Sequence, residues 1–233
     1  MEINQIQKLL ETFNITLTPK MVDDFSLYSD LLAEWNEKFN LTALHKDEFM
    51  EKHFYDSLLL IRTHSFAEQR VLDVGTGAGF PGLPLKIVFP ELDLFLVEPT
   101  TKRCTFLEEV VNRLNLKKVT IINKRAEELD HSFREGFDVV VARAVAQLPI
   151  ILELTIPYVK VDGIFIALKG PSGDDEVEDS KHALKTLSAK LVKSDKAYLP
   201  SDNSLRLNLV FLKLKATSDK YPRNYALIKR KPL

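Results

Sequence analysis

Residues 71–82 read Val-Leu-Asp-Val-Gly-Thr-Gly-Ala-Gly-Phe-Pro-Gly and carry the most specific chemical signal in the chain. A short apolar run leads into Gly75, Gly77 and Gly79, and a glycine turn between a strand and a helix lets a ligand lie against bare backbone. The helix after such a turn offers unpaired N–H groups and a positive dipole end to the polar parts of that ligand. Asp73 stands two residues before the first glycine. Glu98 closes a second apolar run, Ala126-Glu127 follow a third, and Arg143 ends a fourth. Acids, a bare turn and an arginine at the ends of successive apolar runs are the parts needed to hold a nucleoside-containing cofactor.

Two spacings compete for that cofactor. Gly77, Gly79 and Gly82 satisfy G-x-G-x-x-G, and Glu98 lies about 20 residues on, where a dinucleotide site keeps its ribose-binding acid. This match is out of register, because the tight-turn glycine should follow the strand directly and that residue is Gly75. Read from Gly75, the third glycine position is Phe80, and Pro81 sits inside the turn. The other reading is the G-x-G-x-G loop of S-adenosylmethionine-dependent methyltransferases, preceded by Asp73. There Glu98 takes the ribose hydroxyls, Ala126-Glu127 address the adenine, and the three features converge at the carboxyl ends of three strands. This second reading is preferred, with a nicotinamide-dependent oxidoreductase as the alternative.

The elements that must position these residues follow from periodicity. Residues 1–66 read as helical throughout, with Ile3, Ile6, Leu9, Leu10 and Phe13, and then Phe25, Tyr28, Leu31, Leu32, Trp35 and Phe39, at helical spacing. Thr18-Pro19 is a helix start, and a third helix is expected over 46–62. Asn40 and Thr42, between helices, are read as capping residues. Residues 67–233 then alternate strands with helices, the pattern of an α/β parallel sheet covered on both faces. Strands are expected over 70–74, 92–97, 119–122, 138–141, 163–168, 191–198 and 205–213. Helices are expected over 82–88, 101–114, 148–159 and 174–190, with a short turn at 126–129. Nothing helical separates the last two strands, so they form a hairpin with one strand antiparallel in the seven-stranded sheet. The fold expected is a Rossmann-like class I methyltransferase core with an N-terminal helical extension.

Composition excludes several classes. The formal net charge is −1 and there is one cysteine, Cys104, so no disulfide framework forms within a chain and no cysteine-based metal site is expected. The N-terminus has no continuous apolar core, and no run reaches the roughly 20 apolar residues of a membrane helix. A cytoplasmic, membrane-free monomer without a metal is expected. The lysines before residue 61 (Lys8, Lys20, Lys38, Lys46, Lys52) are outnumbered by Asp and Glu, whereas the end of the chain is basic. Its Lys220, Arg223, Lys229, Arg230 and Lys231, together with Lys169, are candidate phosphate contacts; an ordinary solvated terminus is the other reading of the tail.

The acceptor is narrowed by elimination. The fourth strand is not followed by the Asn/Asp-Pro-Pro-aromatic loop that grips exocyclic amines, and Cys104 lies in the helix after Glu98 rather than at the sheet edge. At that edge stands Arg143, whose burial demands a partner; it orients the cofactor, orients the acceptor base, or forms a structural ion pair. The chain here resembles the glucose-inhibited division protein B family, small-subunit ribosomal RNA guanine-N7 methyltransferases. The resemblance covers Trp35-Asn36, Phe39-Asn40-Leu41-Thr42-Ala43, His53 with Asp56-Ser57-Leu58, the whole glycine loop, Glu98-Pro99 and Lys102-Arg103. It continues through Arg125-Ala126-Glu127, Arg143-Ala144, Ala167-Leu168-Lys169-Gly170 and Lys220-Tyr221-Pro222-Arg223. Past Arg223 the family usually carries Gly and Pro, and this chain instead has Asn-Tyr-Ala-Leu-Ile. The resemblance implies methyl transfer from S-adenosylmethionine to a guanine N7 in a small-subunit rRNA loop near the decoding site. It also implies cofactor contacts at Gly75, Phe80, Ala126, Glu127 and Arg143. Guanine N7 carries a lone pair and no proton, so no general base is expected. His53 is the candidate for one, and its plainer role is a hydrogen bond near the cofactor mouth. A ribosome-assembly factor without catalysis is a third class.

Overall fold

The computed structural model describes residues 3–233; Met1 and Glu2, which open the expected helical segment, lie outside the described residues. The first four strands are β1 (Arg70–Val74), β2 (Asp93–Val97), β3 (Val119–Ile122) and β4 (Phe137–Arg143). β1, β2 and β4 are almost wholly buried, because helices cover both faces of a parallel sheet, and this explains their continuous apolar runs. With β5 (Val159–Lys169), β6 (Ala189–Tyr198) and β7 (Leu205–Lys213) they form one sheet in the order β3-β2-β1-β4-β5-β7-β6. β7 runs antiparallel to both of its neighbours and lies between β5 and β6. The expected single reversed strand is therefore β7, and it separates its hairpin partner from the parallel body.

Two core layers sandwich the sheet. On one face α1 (Asn4–Thr12), α2 (Pro19–Phe39), α5 (Gly82–Val88) and α6 (Thr101–Arg113) bury Ile6, Phe25, Leu83 and Phe106 in one cluster with Val71, Val139 and Ile166. Each fully buried apolar side chain of this kind is worth about 2 kcal/mol. On the other face α7 (Leu148–Thr155), α8 (Gly173–Asp179) and α9 (Lys181–Thr186) close over Leu72, Val140 and Phe165. α10 (Tyr225–Arg230) joins this layer through Ile228. Local chemistry sets the ends of α2: the Thr18 hydroxyl accepts from Met21 N at 3.3 Å, and Asn40 closes the helix in the left-handed region.

Several boundaries differ from the sequence expectation. The helix expected over 174–190 is two short helices, because Ser180 bonds back to Glu176 O at 2.6 Å and Ser188, at φ 56°, starts the turn into β6. The helix expected over 148–159 stops at Thr155, and Pro157 lies in a 3-10 turn that leads into a longer β5. The helical stretch over 46–62 is present but irregular. It opens as α3 (Lys46–Phe49), continues as a π-helix (Met50–Tyr55) and α4 (Asp56–Leu58), and ends in a 3-10 turn (Leu59–Arg62). Wide π turns concentrate at functional sites, and this one carries His53. Among the described residues no helix is long and apolar enough to cross a membrane.

Candidate functional site

The glycine loop leaves β1 at Val74, and Gly75 is the first residue of the turn, with φ +68°. A Cβ at Gly75 would stand 2.7 Å from Val145 Cγ2, so the conformation demands glycine and any larger residue would also displace Val145. Gly77 and Gly79 also have positive φ. Asp73 lies beneath the loop, with no exposed surface. Its Oδ2 accepts from Thr76 Oγ1 at 2.7 Å and from Gly82 N at 2.8 Å, tying the two ends of the loop together. A Cβ at Gly82 would come 2.8 Å from that oxygen. Asp73 Oδ1 has no hydrogen-bond partner among the described residues, and burial pushes the carboxyl up to about 6.

A cavity of about 280 Å³ opens beside the loop, lined by Gly75, Glu98, Arg103, Ala126, Glu127 and Tyr225 among others. Glu98, 2 % exposed, accepts from Gly77 N at 3.1 Å and from Thr100 N at 2.9 Å. Arg103 Nη1 lies 3.7 Å from its Oε1, and lone pairs remain for a further donor. The Glu127 carboxyl is raised above its ordinary value, chiefly by burial. Ala126 is held by the Tyr158 hydroxyl, which donates to its carbonyl. Cys104 is a packed residue whose thiol donates to Glu98 O at 3.2 Å, and burial raises its pKa. The parts fit S-adenosylmethionine: a bare turn, an unpartnered buried carboxylate oxygen and an acid at the end of β2 suit its amino-acid arm and ribose.

Of the expected cofactor residues, Gly75, Glu98, Ala126 and Glu127 meet in this cavity. Asp73 and Phe80 act from below it. Phe80 is buried between Tyr28 (centroids 5.3 Å, nearly parallel) and His53 (4.4 Å), and Tyr28 donates its hydroxyl to Ala78 O. Arg143 faces a second cavity of about 370 Å³, with His53, Asp56, Leu168, Arg206 and Asn208. Ala144, at φ 54°, borders both.

The second cavity is built on a polar chain. Thr42 N donates to Asn36 Oδ1 at 2.8 Å, and Thr42 Oγ1 lies 2.8 Å from His53 Nε2. Thr42 therefore links to His53 instead of capping a helix as expected; Asn40 does cap. Arg143 donates to Lys52 O at 3.1 Å and to Asp56 Oδ2 at 3.0 Å, and it lies 3.1 Å from His53 Nδ1. Arg206 holds the other Asp56 oxygen at 3.1 Å. The Arg143 contact assigns Nδ1 as acceptor and the Nε2 hydrogen as donor to Thr42. Burial, reinforced by Arg143, holds the imidazole down at about 3, so it is neutral with both nitrogens engaged. Arg143 keeps Nε–H and one terminal N–H without a partner among the described residues.

The expected phosphate contacts divide. Lys169 donates to Ala146 O and Glu176, both at 2.7 Å. Arg223 grips the fully buried Glu153 through two side-chain bonds of 2.8 and 2.6 Å. Both are committed within the protein, whereas Lys220, Lys229, Arg230 and Lys231 are exposed. Sequence reasoning missed Asn208, Arg206 and Tyr225. The last had a signal, an aromatic at the point where the chain departs from the family pattern, and the Arg125 guanidinium stacks 5.6 Å from its ring.

Comparison with known proteins agrees with this geometry. The family GidB, rRNA small subunit methyltransferase G, matches residues 21–203. Ribosomal RNA small subunit methyltransferase G of Thermoanaerobacter sp. (strain X514) is 43 % identical over 240 residues, covering 100 % of both chains. The protein of that name from Acetivibrio thermocellus is 45 % identical over 95 % of this chain and 92 % of its own. The fold resembles that of M. jannaschii TYW2 in complex with AdoMet, with TM-score 0.55 and 15 % identity over 68 % of this chain and 77 % of that one. These relatives set the nicotinamide alternative aside. With the family matched across most of the chain and full-length relatives above 40 % identity, the chain belongs to the GidB family of small-subunit rRNA methyltransferases.

Proposed function

We propose that this chain transfers a methyl group from S-adenosylmethionine to N7 of a guanine in small-subunit ribosomal RNA. The observation that carries the reading is the pair of cavities meeting at Ala144, one lined by Glu98, Ala126 and Glu127, the other by Arg143. S-adenosylmethionine supplies an electrophilic methyl group when bound. Gly75 and Glu98 hold it from the loop side, with Ala126 and Glu127 at the adenine end. Arg143, fixed by Asp56 and His53, presents its two unengaged N–H groups to the acceptor base. Guanine N7 has no proton to lose, so these residues act by alignment and proximity, and the engaged, neutral His53 is a positioning residue. We further propose that the enzyme works as a cytoplasmic monomer and that Lys220, Lys229, Arg230 and Lys231 meet RNA phosphates.

The test is to incubate the protein with labelled S-adenosylmethionine and small subunits from cells lacking this gene, then map the label by nuclease digestion and mass spectrometry. A single N7-methylguanine is expected. Cofactor binding with no label in subunits or free rRNA would refute the acceptor and favour an assembly factor.

A further inference from the structure

Asn208 sits in β7, opposite Leu168 of β5. It is 2 % exposed, and its side-chain Nδ2 has no hydrogen-bond partner among the described residues. A buried amide donor without a partner costs stability, and natural cores rarely keep one without a reason. This one lines the second cavity together with Arg143, Leu168 and Gly170. A Cβ at Gly170 would meet nothing within 4 Å, so that rim is open. The cavity thus has an apolar side chain at Leu168, an open rim at Gly170, and unengaged donors from Arg143 and Asn208.

We propose that Asn208 is the residue that reads the acceptor base, its amide pairing with the O6 and N1–H edge of guanine. This rests on the guanine reading above. A side-chain amide carries a donor beside an acceptor. Guanine presents an acceptor, O6, beside a donor, N1–H, and adenine presents the reverse order at the same positions. Held with Nδ2 toward O6 and Oδ1 toward N1–H, the amide meets like groups at both positions on adenine, and a site built to hydrogen-bond its substrate in one orientation rejects bases that cannot complete the pairing. Contact on that edge leaves N7 uncovered. Asp56 is held by Arg143 on one oxygen and Arg206 on the other, and Asn208 Nδ2 makes no bond to it.

Asn208→Leu fills the same strand position with an apolar side chain of similar size. If the amide reads the base, this variant melts no lower than wild type and binds S-adenosylhomocysteine with unchanged affinity by calorimetry. Its kcat/KM on small subunits falls about thirtyfold, the loss of two neutral hydrogen bonds. Asn208→Asp, which keeps the shape but replaces the donor with a carboxylate, loses activity likewise and serves if the leucine variant does not fold. Methyl transfer by both variants at the wild-type rate would overturn the assignment. So would a loss of activity that tracked a loss of S-adenosylhomocysteine affinity, because Asn208 would then act through the cofactor. Wild-type protein that methylated no guanine N7 would refute the functional reading and this contact with it, a result separate from the variant arms.

Discussion

Asp73→Asn turns the buried carboxylate under the glycine loop into a measurable quantity. A carboxyl moved from its usual 3.8 to about 6 makes the ionised form about 3 kcal/mol costlier in the folded chain than in the unfolded one. The folded state binds more protons between those two values, so this group makes stability fall as pH rises through that window, and the cost is complete above it. At about pH 4.5 the cost is about 1 kcal/mol and at about pH 7.5 about 3 kcal/mol. His53 works in the opposite direction. Its folded value of about 3 lies below the usual 6.5, so its contribution is present at neutral pH and is lost as pH falls below 6.5, by about 3 kcal/mol at pH 4.5. The wild-type curve alone therefore mixes the two. The difference between wild type and Asp73→Asn isolates Asp73, because Asn keeps an oxygen to accept from Gly82 N. Urea unfolding of both proteins without cofactor should show the Asn variant gaining about 2 kcal/mol relative to wild type between pH 4.5 and 7.5. The same variant should bind S-adenosylhomocysteine about tenfold more weakly, because the unpartnered oxygen is no longer anionic. An equal stability difference at both pH values would refute the argument.

Three further outcomes follow from the site. Gly75→Val should abolish S-adenosylhomocysteine binding in calorimetry while far-UV circular dichroism stays native, because the clash is with one side chain, Val145, at the cavity wall; unchanged affinity would move the cofactor elsewhere. Tyr225→Ala should weaken S-adenosylhomocysteine and methylthioadenosine alike by about tenfold, with Tyr225→Phe near wild type, if the ring stacks on the adenine; a loss confined to the amino-acid-bearing ligand would place Tyr225 away from the base. Single-turnover methyl transfer at saturating cofactor should show no titrating group between about pH 7 and 9, since His53 is held at about 3 and Asp73 at about 6. A bell-shaped profile in that step would restore a general base.

The sequence made visible those parts whose surroundings leave a local mark. β1, β2 and β4 are continuous apolar runs because both of their faces are covered, and Gly75 is fixed by the turn that follows one of them. Glu98 and Ala126-Glu127 were legible because a parallel sheet gathers its strand ends. Asn208 was not. It follows Arg143 by 65 residues in the chain and joins it only because β7 inserts between β5 and β6, and no periodicity reports a sheet order. The π-helix was hidden too, since its residues have ordinary helical propensities and its width is set by packing. The family resemblance implied a cofactor contact at Phe80; its ring is turned into the stack with Tyr28 and His53, which no local pattern in the sequence reports. Lys169 and Arg223 looked like phosphate ligands because charge is visible in a sequence and its buried partner, Glu176 or Glu153, is not.

The N-terminal helices gain a specific purpose from this arrangement. Arg143 ends a buried strand, where an unpaired guanidinium would be costly, and the one acid of β4, Asp138, pairs with Lys160 at the strand's other end. Its partners Asp56, His53 and Lys52 O all come from the helical stretch over 46–62. Thr42 and Asn36 in turn hold His53 from α2 and the loop after it. The π turn brings the Lys52 carbonyl and the His53 ring to Arg143, with Asp56 following at once in α4. Phe80 closes the circuit, since the Arg143 guanidinium lies 5.1 Å over its ring and the same ring stacks on His53. A displacement of the helical stretch would therefore be felt at Arg143 through its ion pair and at the glycine loop through Phe80. The acidic N-terminal helices thus fix, from behind, the arginine and the loop that face the two cavities.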